Sequence, residues 1–293
     1  MLVYNKHMSK FKGETYLLLT ALIWGFAVVL QTTVVDVIGT FTFNGIRYLI
    51  GAISLLPLLK YARSGVDKKR CICLGIIMGL CISIGANLQQ EAMAHGINAA
   101  KVGFITSLYM IFVPILNFIM YKQKTGKLIL VSIVISVFGL YFLSGGHFKF
   151  EIGDLLLIGC AFFFALQIVL IGAYAKDLNS VQLSFVQYVT SGLSSLIVAF
   201  FVEDITFTSI FAARWSLLYT GILSTGVAYT LQIIGQKYTD PTVASIILSL
   251  EAVTSAVTGF LFLHQVLSGQ EIIGCVLMFI AVILTQVKFK GDK

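Results

Sequence analysis

Ten apolar runs, each about 20 residues long and nearly free of charge, follow one another along the 293 residues of this chain. They fall at about 14–34, 38–60, 71–93, 98–121, 126–145, 152–174, 179–202, 213–235, 241–263 and 268–287. A bilayer core about 30 Å thick is crossed by roughly 20 helical residues. No water reaches that core to satisfy backbone groups, so only helices and closed barrels span it. A barrel strand would alternate apolar and polar residues in segments of about ten, and these runs are continuous. The expected fold is therefore an all-α membrane protein of ten transmembrane helices. Charged residues make up 11% of the chain, against about 25% in soluble domains, and the short connections leave no room for a soluble catalytic domain.

The net charge of +7 is read by position, because Lys and Arg in short loops set orientation. With the N-terminus in the cytoplasm, that side collects Lys6, Lys10, Lys12, Lys60, Arg63, Lys68, Lys69, Arg70, Lys122, Lys124, Lys127, Lys176, Lys237, Lys288, Lys290 and Lys293, sixteen in all. The opposite side collects three, Lys101, Lys149 and Arg214. Both termini are expected to be cytoplasmic, in an inner or plasma membrane crossed many times. No small-residue cleavage site follows the first run, which reads as an uncleaved helix. The Lys60–Arg70 cluster also suits anionic lipid head groups. No nucleic-acid partner is expected.

The five cysteines, Cys71, Cys73, Cys81, Cys160 and Cys275, are odd in number and sit within or at the edges of apolar runs, which argues against a disulfide framework. Cys71 and Cys73 lack the second pair or the histidines that a zinc site needs, so no metal and no cofactor is expected. Thr125-Gly126-Lys127 lacks the upstream glycine of a phosphate loop. Glu91, His95 and Lys101 fall together outside the third and fourth runs and read as solvated loop chemistry or a vestibule.

The second half repeats the first. An offset of 140 carries Arg47-Tyr48 onto Gln187-Tyr188 and Trp24-Gly25 onto Phe164-Ala165. An offset of 142 carries Asn87 onto Tyr229, Gln90 onto Gln232, Gln123 onto Gln265, and Ser107-Leu108-Tyr109 onto Ser249-Leu250-Glu251. Five crossings per repeat is an odd number, so the halves enter the membrane in opposite senses, as in many secondary transporters whose site lies where the repeats meet. Gly75, Gly79 and Ser83 share one face and allow close helix approach. Pro114 is expected to kink the fourth helix, whereas Pro241 opens the ninth, where its missing N–H is harmless.

Two charges lie inside runs. Glu251 must be neutral, paired or facing water, and reads either as a proton carrier or counter-charge for a cation, or as a structural hydrogen bond. Ala244, Leu248, Glu251 and Ser255 share its helix face. Arg47 reads either as a partner for carbonyls or for Glu251, or as a clamp for a substrate carboxylate. Asn87 with Gln90, and their mates Tyr229 with Gln232, either line a site or join helices. Trp24, Tyr109, Gln167 and Tyr188 are further candidates for a cavity wall.

Ala21-Leu22-Ile23-Trp24-Gly25, Phe43-Asn44-Gly45-Ile46-Arg47-Tyr48, Lys101 to Tyr109, Gly226-Val227-Ala228-Tyr229-Thr230-Leu231-Gln232 and Pro241 to Glu251, in that order and spacing, resemble the ten-helix EamA branch of the drug/metabolite transporter superfamily. The resemblance covers nearly the whole chain. It implies a first repeat over residues 1–146 and a second over 147–293, and it adds Asn44 to the candidate binding residues. Two departures stand out: His264-Gln265 where the family often has a Gly-Glu pair, and Ala252 where a proline usually follows the glutamate. The function implied is export or import of small metabolites such as amino acids or amines by alternating access; the direction expected is export, with protons coupled through Glu251. A monomer or homodimer in lipid would suffice. A passive channel or facilitator, and an intramembrane enzyme acting on a lipid, are the alternatives; the enzyme would need more buried acids or histidines than Glu251 supplies.

Overall fold

The computed structural model describes residues 2–62, 67–97, 99–143, 151–263 and 268–286. Arg63, Lys149, His264, Gln265, Lys288, Lys290 and Lys293 lie outside the described residues. Each apolar run is helical within them, and no strand occurs among them. In chain order the elements are α1 (Leu2–Thr32), α2 (Thr40–Ser54), α3 (Leu56–Leu59), α4 (Lys68–Ala94), α5 (Ala99–Ser107), α6 (Tyr109–Tyr121), α7 (Lys127–Leu143), α8 (Ile152–Tyr174) and α9 (Ser180–Val202). The second half continues with α10 (Phe207–Ala212), α11 (Arg214–Leu218), a π-helical segment (Tyr219–Tyr229), α12 (Thr230–Gln236), α13 (Pro241–Leu248), α14 (Leu250–Leu263) and α15 (Gly269–Gln286). Among the described residues seven helices are long and apolar enough to cross a membrane, and Lys127–Phe142 and Gly269–Thr285 are shorter apolar helices. Phe200, Phe201 and Trp215 are among the large apolar side chains on the outside, whereas Arg47, Glu251 and many Ser, Thr, Asn and Gln side chains are buried. A water-soluble protein has the opposite arrangement, so this is a multi-pass membrane protein.

Local chemistry sets the helix ends. Asn179 accepts from the backbone N–H groups of Val181 and Gln182 at the start of α9. Asp240 accepts from Thr242 N at 2.8 Å, with Pro241 in the first turn of α13 as expected. Pro57 offers no N–H to Ile53, and the second run is divided at Leu55 into α2 and α3.

The break in the fourth run is not at Pro114. α6 continues through that proline, and the interruption falls six residues earlier, at Leu108. The ninth run is interrupted at Ser249, within one residue of the same place in the repeat. At both breaks a three-residue hydrogen bond tightens the chain, Ile111 N to Leu108 O at 2.8 Å and Ala252 N to Ser249 O at 3.1 Å. Both halves are therefore broken next to a polar position, Tyr109 in one and Glu251 in the other.

Packing also recurs between the halves. α2 lies on α9 and α7 on α15, each element against its own counterpart. α4 packs on α8 and α9, just as the π segment packs on α1 and α2. Glycines fix the register: a Cβ on Gly79 would lie 2.7 Å from the Gln187 carbonyl oxygen, and one on Gly221 would lie 3.0 Å from that of Arg47. Gly79 and Gly221 are 142 residues apart, Arg47 and Gln187 are 140 apart. The small-residue face of α4 does meet another helix, since Gly75 packs on Val186 and Ser83 on Ser195, both of α9.

Candidate functional site

A small, partly open cavity lies where the start of α14 meets α1, α2, α4, α8 and the π segment. From α1 it receives Trp24, Ala27, Val28 and Gln31, spaced at three, four and seven residues so that all share one helix face. Gly25 lets that face reach α14, because a Cβ there would lie 2.7 Å from the carbonyl oxygen of Glu251. Arg47 comes from α2, Gln89 from α4, Phe164 from α8, and Ser224 and Tyr229 from the π segment. Glu251 stands at the start of α14, just past the break. Trp24 and its repeat mate Phe164 both reach the cavity.

The two charges are buried but separate. Arg47 is 3% exposed and Glu251 6% exposed, and among the described residues no ion pair joins them. Arg47 is held from behind: its Nε donates to Asn44 Oδ1 at 2.8 Å, one terminal nitrogen donates to the Tyr48 hydroxyl at 3.2 Å, and its charge lies 4.7 Å from the centre of the Tyr48 ring. Asn44 is fixed in turn by donating to Asn87 Oδ1 at 2.7 Å and to the Ala86 carbonyl at 3.1 Å. Two of the five guanidinium N–H donors are thus used, and the group still borders the cavity. Glu251 has the Tyr109 hydroxyl beside its carboxyl. That hydroxyl is buried and has no aligned hydrogen bond.

Aromatic rings close one wall. Trp24 and Tyr229 lie 4.6 Å apart between centroids, and Trp24 Nε1 donates to the Ser224 carbonyl at 3.2 Å. The space is about 30 Å³, room for about two waters and too small for a metabolite. A substrate could enter only if the surrounding helices move apart.

Of the residues singled out from sequence, Trp24, Arg47, Tyr229 and Glu251 line this cavity, with Tyr109 beside it. Asn44 and Asn87 stand behind Arg47. Gln167 and Gln232 instead face one another, each amide donating to the other at 3.3 and 3.0 Å. Gln90 donates to the Gln31 carbonyl at 3.4 Å, and the Tyr188 hydroxyl is 2.9 Å from Thr230 Oγ1. Lys101 does not join Glu91 and His95. It pairs with Asp154 at 2.8 Å and Glu151 at 3.5 Å at the start of α8, while His95 lies 3.8 Å from Glu91.

Sequence reasoning missed Gln31, Gln89, Phe164 and Ser224. Gln31 was recoverable, since it lies two turns beyond Trp24 on the same face. Glu203 was missed as well: it ties the end of α9 to the start of α2, accepting from Phe41 N and Thr42 N at 2.8 Å each and from Thr42 Oγ1 at 2.7 Å.

The sequence profile of the EamA-like transporter family matches residues 11–145 and again residues 151–287. A protein of Archaeoglobus fulgidus described as an uncharacterized transporter is 32% identical over 284 residues, covering 96% of this chain and 88% of its own. The uncharacterized transporter YoaV of Bacillus subtilis is 23% identical over 93% of this chain and 96% of its own. A solved crystal structure with 17% identity superposes with a TM-score of 0.75 over 93% of this chain and 96% of its own, which shows a shared fold. Two family matches in one chain coincide with the two halves whose packing repeats, and the chain belongs to the EamA-like transporter family.

Proposed function

We propose that this protein is a secondary transporter that exports small metabolites across the cytoplasmic membrane by alternating access, without chemically changing them. In this reading it makes ten crossings as two inverted five-helix repeats, residues 1–146 and 147–293, with both termini cytoplasmic. The sixteen-to-three bias of basic residues supports that orientation. One chain carries both halves, so a monomer suffices and a homodimer adds no missing part.

The observation that carries the reading is the pair of buried charges on one cavity, Arg47 and Glu251, with no ion pair between them among the described residues. A guanidinium with free donors suits a carboxylate. A carboxyl beside the faces of Trp24 and Tyr229 suits an ammonium group. Amino acids carry both kinds of group, and related amines carry the ammonium group alone; either would need the cavity to widen. Glu251 doubles as the proton carrier: with no described cation to hold it charged, it exchanges a proton for a cationic group as the cavity changes sides. Asn44 and Asn87 position Arg47, and Tyr109 positions Glu251.

The test is efflux from proteoliposomes of a panel of amino acids, amines, nucleosides and vitamins, with and without an imposed pH gradient. Saturable movement confined to compounds bearing an ammonium group, and accelerated by the gradient, is the expected result. Ionic current without saturation, or no movement of any compound that raises the melting temperature of the protein, would overturn it.

A further inference from the structure

Gln31 brings an unpaired acceptor to the cavity. Its side chain lines the space and is 3% exposed, and its Oε1 has no hydrogen-bond partner among the described residues. The neighbouring amide does not supply one, because Gln90 Nε2 donates to the main-chain carbonyl of Gln31 at 3.4 Å. Gln89, Trp24 and Arg47, on the same cavity, are each engaged. Gln89 Nε2 donates to Thr106 Oγ1 at 3.2 Å, Trp24 Nε1 to the Ser224 carbonyl at 3.2 Å, and Arg47 Nε to Asn44 Oδ1 at 2.8 Å.

Packing does not call for an amide at this place. The repeat mate of Gln31 by the offset of 140 is Ile171, buried in an apolar cluster. One turn back on the same face the comparison runs the other way: Ala27 has Gln167 as its mate, and Gln167 exchanges hydrogen bonds with Gln232 at 3.3 and 3.0 Å. That amide is answered by another, and the Gln31 carbonyl is not. A buried acceptor without a donor costs stability that an apolar side chain of the same size would not. A substrate that displaces water from the cavity must bring its own donor to Gln31 or leave the acceptor stranded.

We infer that Gln31 sets the specificity of this cavity: its Oε1 accepts from a hydroxyl or amide N–H of the substrate, a group additional to the charged ones that Arg47 and Glu251 meet. The substrate class is then small amino acids or amines that carry such a donor, in preference to their apolar isosteres. Gln31 is seven residues from Trp24, about 10 Å along α1, so the donor belongs at the end of the cavity away from the indole. An apolar pocket rejects an added hydroxyl only weakly, whereas a site built around a hydrogen bond strongly rejects the analogue that lacks the donor. The inference rests on the transporter reading of the same cavity and adds to it the residue that selects.

The experiment measures efflux from proteoliposomes, and thermal melting of the full chain, with isosteric pairs that differ by one donor: serine with 2-aminobutyrate, threonine with valine, and ethanolamine with propylamine. In the wild-type chain the hydroxyl member of a transported pair should be moved about tenfold or more better than its twin, by kcat/KM. In Gln31→Leu and Gln31→Met, two apolar replacements of similar size, that ratio should fall to about one, chiefly through lost transport of the hydroxyl compound. Both variants should melt no lower than wild type, because an unpaired acceptor has gone. A wild-type ratio near one, a ratio that survives the substitutions, or a melting temperature lowered by both would overturn the inference, the last by making Gln31 a structural group. The two claims fail separately. Equal movement of both members of each pair sinks selection by Gln31 and leaves the transporter, whereas no movement of any compound sinks the transporter reading and the selection with it.

Discussion

Tyr109 and Glu251 hold the same position in the two halves, 142 residues apart, and the Tyr109 hydroxyl lies beside the Glu251 carboxyl. Each follows a helix break, at Leu108 and at Ser249. If the halves are inverted as proposed, equivalent residues in contact lie astride the axis that relates them, and this pair marks its course. In the proposed mechanism such a group stays central whichever end is open, as a shared carrier requires.

Replacement of Glu251 by Gln keeps shape and hydrogen-bonding capacity but removes the exchangeable proton. The expected outcome is a folded protein whose gradient-driven efflux falls about tenfold or more, while exchange of substrate between the two sides at equal pH survives. Efflux that keeps its full response to the pH gradient would remove Glu251 from the coupling step. Tyr109→Phe should shift the pH profile of efflux without abolishing it, because the carboxyl remains and only its neighbour changes.

Arg47 and Glu251 share a cavity but not a bond. Losses of stability on Arg47→Gln and Glu251→Gln should therefore add in the double variant to within about 0.5 kcal/mol. A much smaller combined loss in denaturant or thermal titration would mean that the two charges do support each other. Efflux is expected to fall about tenfold or more in each single variant, through weaker binding for Arg47→Gln and slower coupling for Glu251→Gln.

The architecture was largely legible because hydropathy dictates it. A run such as 152–174 coincides with α8 end for end, and Pro241 opens α13 as its missing N–H requires. The broken helices were half legible. Pro114 drew attention to the fourth run, yet the chain breaks at Leu108, a position with no helix-breaking residue, because tertiary packing decides there. The site divides in the same way. Buried charge exposed Arg47 and Glu251 at once. The amide pair Gln167–Gln232 could not be told from a cavity wall, since the same residue types do both tasks and only geometry separates them.

That amide pair predicts a structural role. Gln167→Leu alone strands Gln232 inside the protein, at a cost of about 1–3 kcal/mol. The double variant Gln167→Leu with Gln232→Leu leaves no polar atom unpaired and should recover much of that stability, with efflux close to wild type. If the double variant is stable but has lost transport, the pair belongs to the site after all.

Glu203 ties the end of α9 to the start of α2. Its carboxylate accepts two backbone N–H groups and one hydroxyl at the first turn of α2, where the helix dipole also favours a negative charge. Gly39 makes this possible, because a Cβ there would collide with the carboxylate. Glu203→Gln keeps the size but turns one acceptor into a donor facing donors, so about 1–2 kcal/mol should be lost from the contact. Glu203 lies past the end of α9 and far along the chain from the cavity residues of α14, so substrate affinity should hardly change. What should change is the local contact: residues 40–46 should exchange deuterium faster in Glu203→Gln, and a thiol placed at Thr40 should be alkylated faster than in an otherwise identical chain that keeps Glu203. Unchanged alkylation with an unchanged melting temperature would mean that the Glu203 contact does not hold the start of α2 in place.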